Sequence, residues 1–134
     1  DEIRNAIQSV FACGFCDDAG TEAMIGEEYK RSGYLLDTHT AVAYRVAEQF
    51  RRADGSGTPM IVASTASPFK FCASVLHALG CEELQSGTAI IGQLAEASGR
   101  PAPAPLAGLA GKQVRFGEVV DKGAMRAVVT EFLQ

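Results

Sequence analysis

Apolar residues recur with a helical period over most of the chain. Over 2–12, Ile3, Ala6, Ile7, Val10 and Phe11 fall at i, i+3, i+4, i+7 and i+8, which predicts an amphipathic helix. Cys13-Gly14-Phe15-Cys16 interrupts it at a glycine. Asp17 and Asp18 can then cap a second helix over 19–31, with Met24, Ile25 and Tyr29 facing inward and Glu27 and Arg31 spaced as an i,i+4 pair. Ser32-Gly33 ends it. The best-specified helix is the third: Asp37 is a good N-cap, Leu36 before it is apolar, and Val42, Val46 and Phe50 repeat every four residues behind it. Residues 54–57 (Asp-Gly-Ser-Gly) read as a loop.

The period then changes. Residues 59–64, Pro-Met-Ile-Val-Ala-Ser, form a short continuous apolar run, which predicts a strand buried on both faces as in a parallel sheet. Ser67 is a suitable N-cap and Pro68 sits at the first helical position, where its missing N–H costs nothing. Cys72, Val75, Leu76 and Leu79 give that helix its buried face, and Gly80 stops it. Leu84, Ile90, Ile91 and Leu94 predict a helix over 82–98, weakened by Gly87 and Gly92. Pro101 to Pro105 read as a stiff extended connector. Val114, Phe116, Val119 and Val120 suggest a short strand, and Asp121 caps a last helix with Met125, Val128, Val129, Phe132 and Leu133 on one face. The fold class is therefore α/β, mostly helical with one or two strands. A buried parallel strand needs neighbours on both sides that this chain does not supply, so the sequence reads as part of something larger.

Composition narrows the function classes. The 134 residues carry 12 Lys+Arg against 16 Asp+Glu, a net charge of −4, with 47% apolar residues. Mean hydropathy is +0.07 and the pI about 5.1. Such a chain has too much apolar surface for intrinsic disorder. It lacks the basic footprint of a nucleic-acid binder and any apolar run near the ~18–20 residues of a membrane span. Four cysteines without a signal peptide or a disulfide-dense composition predict free thiols in a reducing compartment, the cytoplasm. Asp1 is not a start residue, which suggests a longer or processed chain. The apolar excess suggests surface that is covered by something else.

Chemistry concentrates in two stretches. In Ser64-Thr65-Ala66-Ser67-Pro68-Phe69-Lys70-Phe71 an apolar run ends in small hydroxyl residues and turns directly into a helix. There hydroxyls and free helix N–H groups can converge on a ligand, and Ala66 permits close approach. The plainer reading is that these residues only cap the helix. In Gly33-Tyr34-Leu35-Leu36-Asp37-Thr38-His39-Thr40-Ala41-Val42, Asp37, His39 and Thr40 share the first turn of a helix, which equally describes an N-cap beside a surface histidine. A rival reading starts from Cys13 and Cys16: half a zinc site completed by His77 and Cys81, or a redox pair. The zinc reading lacks a second C-x-x-C and the redox reading lacks a preceding strand. Cys13 and Cys72 are more simply small buried hydrophobes, so no metal ligand is assigned. A helical interaction module without chemistry is the third class.

Taken together and in order, the two stretches resemble the C-terminal part of threonine synthase, which has Gly-Tyr-Leu-hydrophobic-Asp-Pro-His-Thr-Ala-Val followed by Thr-Ala-His-Pro-Ala-Lys-Phe after a strand. Phe15-Cys-Asp-Asp-Ala-Gly-Thr21 is similar as well, and the likeness is good over about 1–80 and weak beyond. The resemblance implies the C-terminal portion of the large domain of a fold-type II, tryptophan-synthase-like enzyme that uses pyridoxal 5'-phosphate. Its substrate would be O-phosphohomoserine, converted with water to L-threonine and phosphate. The Schiff-base lysine and the segments that hold the cofactor phosphate lie upstream in that family, so no catalytic residue is expected in this segment and Lys70 is not the Schiff-base lysine. By motif position Thr65 is the hydroxyl that faces the cofactor's pyridine nitrogen. Asp37, His39, Thr40, Ser64, Ser67 and Lys70 are expected to support that site. Thr38 stands where the family has Pro, and Ser67 where it has His, which leaves a related pyridoxal-phosphate lyase with a different substrate as the alternative. The expected partners are the substrate, the rest of the enzyme chain and, for this segment by itself, a second copy. Alone, the segment is expected to be inactive.

Overall fold

The two longest helices each begin at an aspartate and end at a glycine. In the computed structural model, which describes residues 1–55 and 57–134, a short α1 (Glu2–Gln8) precedes α2 (Asp18–Ser32) and α3 (Thr38–Asp54). The Asp17 carboxylate accepts the Gly20 amide at 2.8 Å. Gly33, at φ 74°, closes α2 in the left-handed conformation that a side chain disfavours, and Gly55 closes α3 in the same way. Of the loop predicted over 54–57, Asp54 belongs to α3, and Ser56 lies outside the described residues.

Ser67 caps a single 3-10 turn (Pro68–Lys70), its hydroxyl accepting the Phe69 amide at 3.3 Å, and α4 (Cys72–Ala78) follows at once. Beyond it lie α5 (Ala89–Ser98), α6 (Ala104–Ala107), 3-10 turns at Gly108–Gly111 and Lys122–Ala124, and α7 (Met125–Phe132). No helix among the described residues is long and apolar enough to cross a membrane.

The core forms where α2 packs on α3 and α4, and α4 on α5. Ile25, Val75, Leu76 and Leu94 are fully enclosed, ringed by Met24, Leu35, Leu36, Phe69 and Ile91. Each such side chain contributes about 1.5–3 kcal/mol by leaving water. The α2–α4 crossing depends on Gly26, because a Cβ there would sit 2.6 Å from the carbonyl oxygen of Ala78. Polar ties close the far end: the Tyr29 hydroxyl donates to the Ser98 carbonyl at 2.9 Å, and the Arg100 guanidinium donates to the Gly33 carbonyl. The Gln93 amide group spans the loop before α5, accepting from the Gln85 amide and donating to the Glu83 carbonyl.

Several expectations are corrected. Neither predicted strand forms: residues 57–65 and 113–121 carry no regular structure, and no strand is present among the described residues. A strand needs a neighbour to complete its ladder, and none lies among the described residues. Ile61, predicted to be buried on both faces, is 99% exposed. The helix predicted over 82–98 starts only at Ala89, because Gly87 adopts a left-handed φ of 59° that interrupts the helical path. The connector at 101–105 is helical from Ala104, with Pro105 in the first turn. Glu27 and Arg31 do not pair: Arg31 turns to Glu28 and Glu27 to Arg45. In α3 the buried residues are Thr40 and Ala41, while Val46 is half-buried and Phe50 exposed. Cys72 is buried as expected, but Cys13 lies outside α1 and is exposed. The apolar face of α7 forms, yet Met125, Val129, Phe132 and Leu133 remain exposed.

Gly26→Val places a branched side chain against the Ala78 carbonyl. It is expected to lower unfolding free energy by about 2–3 kcal/mol, the range for overpacking after a small gain in helix propensity. Urea denaturation reads this directly, and an unchanged midpoint would show that α2 and α4 can separate freely.

Candidate functional site

Asp37 caps the start of α3 and is itself only 1% exposed. Its Oδ1 accepts the backbone amides of His39 at 2.9 Å and Thr40 at 3.1 Å. Its Oδ2 accepts the Thr40 hydroxyl. The predicted N-cap is thus present, and its second oxygen is satisfied as well, as a buried carboxylate requires. Thr40, also buried, lies 3.3 Å through its Oγ1 from the Ser64 hydroxyl. That contact joins the first motif to the second across 24 positions of sequence.

A second junction lies beside it. The His39 ring, exposed over most of its surface, packs on Phe71 with centroids 4.9 Å apart and an interplanar angle of 47°. Its Nδ1 is 3.3 Å from the Thr38 hydroxyl and 3.8 Å from Asp37 Oδ1. His39, Phe71 and Thr38 face an open cleft of about 360 Å³ whose other wall includes Cys16, Asp18 and Thr21. Thr21 is buried, donating its hydroxyl to the Asp17 carbonyl at 2.7 Å and lying 3.6 Å from the Cys16 sulfur. All three motif stretches, 15–21, 33–42 and 64–71, therefore contribute to one region.

On the other side of Thr40 lies a smaller cleft of about 210 Å³, lined by Glu28, Tyr34, Leu36, Thr40, Tyr44, Val62 and Ser64. Burial raises the Glu28 pKa, but the Ser32 hydroxyl and the Arg31 guanidinium outweigh it and hold the carboxyl below its ordinary value. Arg31 donates to Glu28 at 2.6 Å and to the Tyr44 hydroxyl at 3.2 Å.

The remaining sequence-predicted residues lie around this region. Thr65 is exposed, and its side chain makes no hydrogen bond among the described residues. Ser67 spends its hydroxyl as a cap, and Lys70 is exposed at the end of the same turn. Phe71 and Thr21 had no role assigned from sequence. Phe71 stood inside the quoted motif, but only folding reveals that it supports His39. Among the described residues, no group of three or more His, Cys, Asp or Glu side chains is placed to hold a metal, so Cys13, Cys16, His77 and Cys81 form no such set.

The capped start of α3 is thus tied to a hydroxyl-rich turn, and comparison with known proteins identifies the family of the chain. A sequence model of the family "Threonine synthase, C-terminal" matches residues 40–129. The match runs past residue 80, where the motif likeness thins. Similar proteins include "Threonine synthase-like 1" of Mus musculus, 38% identical over 78 residues, which are 58% of this chain and 10% of that protein. "Threonine synthase" of Corynebacterium glutamicum is 40% identical over 77 residues, 58% of this chain and 16% of that protein. "Threonine synthase" of Pseudomonas aeruginosa is 44% identical over 54 residues, 40% of this chain and 11% of that protein. The chain belongs to the threonine synthase C-terminal family. It spans between about a tenth and a sixth of the length of these relatives.

Asp37→Ala removes the cap and leaves the buried Thr40 hydroxyl without its acceptor. A loss of about 2–4 kcal/mol in unfolding free energy is expected, with Asp37→Asn recovering roughly half through its remaining carbonyl. Chemical denaturation checks this. A loss below about 0.5 kcal/mol for the alanine variant would show that water replaces both functions.

Proposed function

We propose that this chain forms the C-terminal part of a threonine synthase or close relative, contributing one wall of a pyridoxal-phosphate cleft. The reaction in this reading is conversion of O-phosphohomoserine and water to L-threonine and phosphate. The Schiff-base lysine and the cofactor-phosphate anchors belong to the preceding part of the polypeptide, so the segment alone is inactive. The observation that carries the reading is the contact of Thr40 with Ser64, which holds the two family motifs together beside Thr65. When bound, the cofactor supplies an electron sink for the substrate's Cα electrons.

The donor set suits that group. Thr65 presents an exposed hydroxyl with no internal acceptor among the described residues, next to small Ala66. A neutral hydroxyl can donate to or accept from a ring nitrogen without fixing it as a full pyridinium, which a carboxylate would favour. Asp37 and Thr40 hold the neighbouring turn, and His39 borders the adjoining cleft. Ser67 caps its own turn, so a role as proton carrier falls to no side chain at that position. This favours keeping a related lyase with a different substrate as the second reading.

The rest of the enzyme finds a ready surface. An open, mostly apolar groove of about 660 Å³ runs between Val46, Ala47 and Phe50 of α3 and Met60, Ile61 and Val62. Its floor is the apolar stripe that the period of α3 placed inside, and its rim is the run that reads as a strand. Both features fit a surface covered by the preceding part of the polypeptide. In the segment alone, self-association by strand pairing would cover it instead. A cytoplasmic location accords with the four free thiols.

In the full-length enzyme, Thr65→Asp is expected to lower kcat/KM at least about tenfold, ~1.4 kcal/mol of transition-state stabilisation, and to shift the cofactor's absorbance toward its ring-protonated form. Steady-state kinetics with spectral titration tests this. Wild-type kinetics and spectrum would remove Thr65 from the site.

A further inference from the structure

We propose that Asp37, Thr40 and Ser64 form a directional hydroxyl relay that sets which way Thr65 faces, with Thr40 as its positioning residue. The cofactor consequence rests on the reading of Thr65 given above, whereas the ordering of the turn does not. Between Gly57 and Ala66 no backbone hydrogen bond anchors the chain among the described residues. Over the same stretch, the side-chain bond to the helical body among the described residues is the one between Ser64 and Thr40. Hydrogen bonding therefore holds this segment through one hydroxyl contact, beside the apolar packing of half-buried Val62, unlike the turn after Ser67, which has both a cap and backbone bonds.

Proton counting gives the relay its direction. A hydroxyl carries one proton, and a carboxylate oxygen only accepts. Asp37 Oδ1 is occupied by two backbone amides, and Oδ2 takes the proton of Thr40. The Thr40 oxygen is then left as the acceptor, so Ser64 donates to it across 3.3 Å. Both inner members are buried, Asp37 at 1% and Thr40 at 4% exposure, where water does not compete for the bonds. Adjacent side chains point in different directions in either helical or extended backbone. Pinning the Ser64 hydroxyl on Thr40 therefore turns Thr65 away from it, in accord with the lack of a hydrogen-bond partner for Thr65 among the described residues. A slip of one residue would turn Thr65 toward α3 and take the Ser64 hydroxyl away from Thr40.

Thr40→Val keeps the shape of the buried side chain and deletes the relay, whereas Thr40→Ser keeps the hydroxyl. Backbone ¹⁵N relaxation on this chain is expected to give order parameters near 0.85 at Ser64–Ala66 in the parent and in Thr40→Ser, falling below about 0.6 in Thr40→Val. In the holoenzyme, Thr40→Val is expected to weaken cofactor affinity by about three- to tenfold and to shift the pH profile of its absorbance, with Thr40→Ser restoring both. Ser64→Ala, an exposed substitution that folding tolerates, must reproduce the Thr40→Val effects on order and provides the test should Thr40→Val fail to fold. Parent-like order parameters in both Thr40→Val and Ser64→Ala would overturn the relay. Thr65→Val separates the two ideas. If it leaves the cofactor spectrum unchanged while order is lost in Thr40→Val, the relay stands and the cofactor role of Thr65 falls.

Discussion

The carboxylate of Asp37 is taken out of water at the start of a helix, and every other feature of the site follows from how its oxygens are satisfied. One oxygen holds two backbone amides, which fixes where α3 begins. The other holds Thr40, and Thr40 in turn holds Ser64. A buried carboxylate without such partners would be costly, so the local sequence Asp-Thr-His-Thr has little freedom to do otherwise. The same first turn sends His39 outward onto Phe71, giving the two motifs a second, weaker junction through aromatic contact.

Around this point the molecule divides into a finished half and an open half. The finished half is the α2–α4–α5 core, where Ile25, Val75, Leu76 and Leu94 are fully enclosed and Gly26 lets two helices approach backbone to side-chain distance. The open half is the face of α3 beyond Ala43, the unpaired run at 57–65 and the tail from 112 onward, where large apolar residues such as Ile61 and Val119 stand almost fully exposed. Apolar patches of this extent mark surfaces meant to be covered. The site lies on the boundary between the halves, which fits the proposed reading of this chain as one wall of a cleft.

What was legible in the sequence is what local chemistry decides. Asp17, Asp37 and Ser67 cap because their short side chains reach amides two or three residues ahead, and no distant partner is needed. The inward residues of α2 and α4 followed from period alone. Family motifs supplied the rest of the candidate site, and folding brought Asp37, Thr40 and Ser64 into one chain of hydrogen bonds. Features that depend on distant partners were not legible. The run at 59–64 has the composition of a buried strand, yet a strand needs a neighbour to pair with, and none is present among the described residues. The stripe Val42, Val46, Phe50 has the right period, but α2 covers only the first turns of α3. Gly26 gave no signal because its reason is the Ala78 carbonyl, fifty-two residues away.

The most direct test is an experimental structure of the full-length enzyme with pyridoxal 5'-phosphate bound. It is expected to place the Thr65 hydroxyl about 2.7–3.0 Å from the ring nitrogen, with Ser64 still bonded to Thr40 and the run at 59–64 paired as a strand. A carboxylate at the ring nitrogen, or Thr65 turned away toward α3, would contradict it.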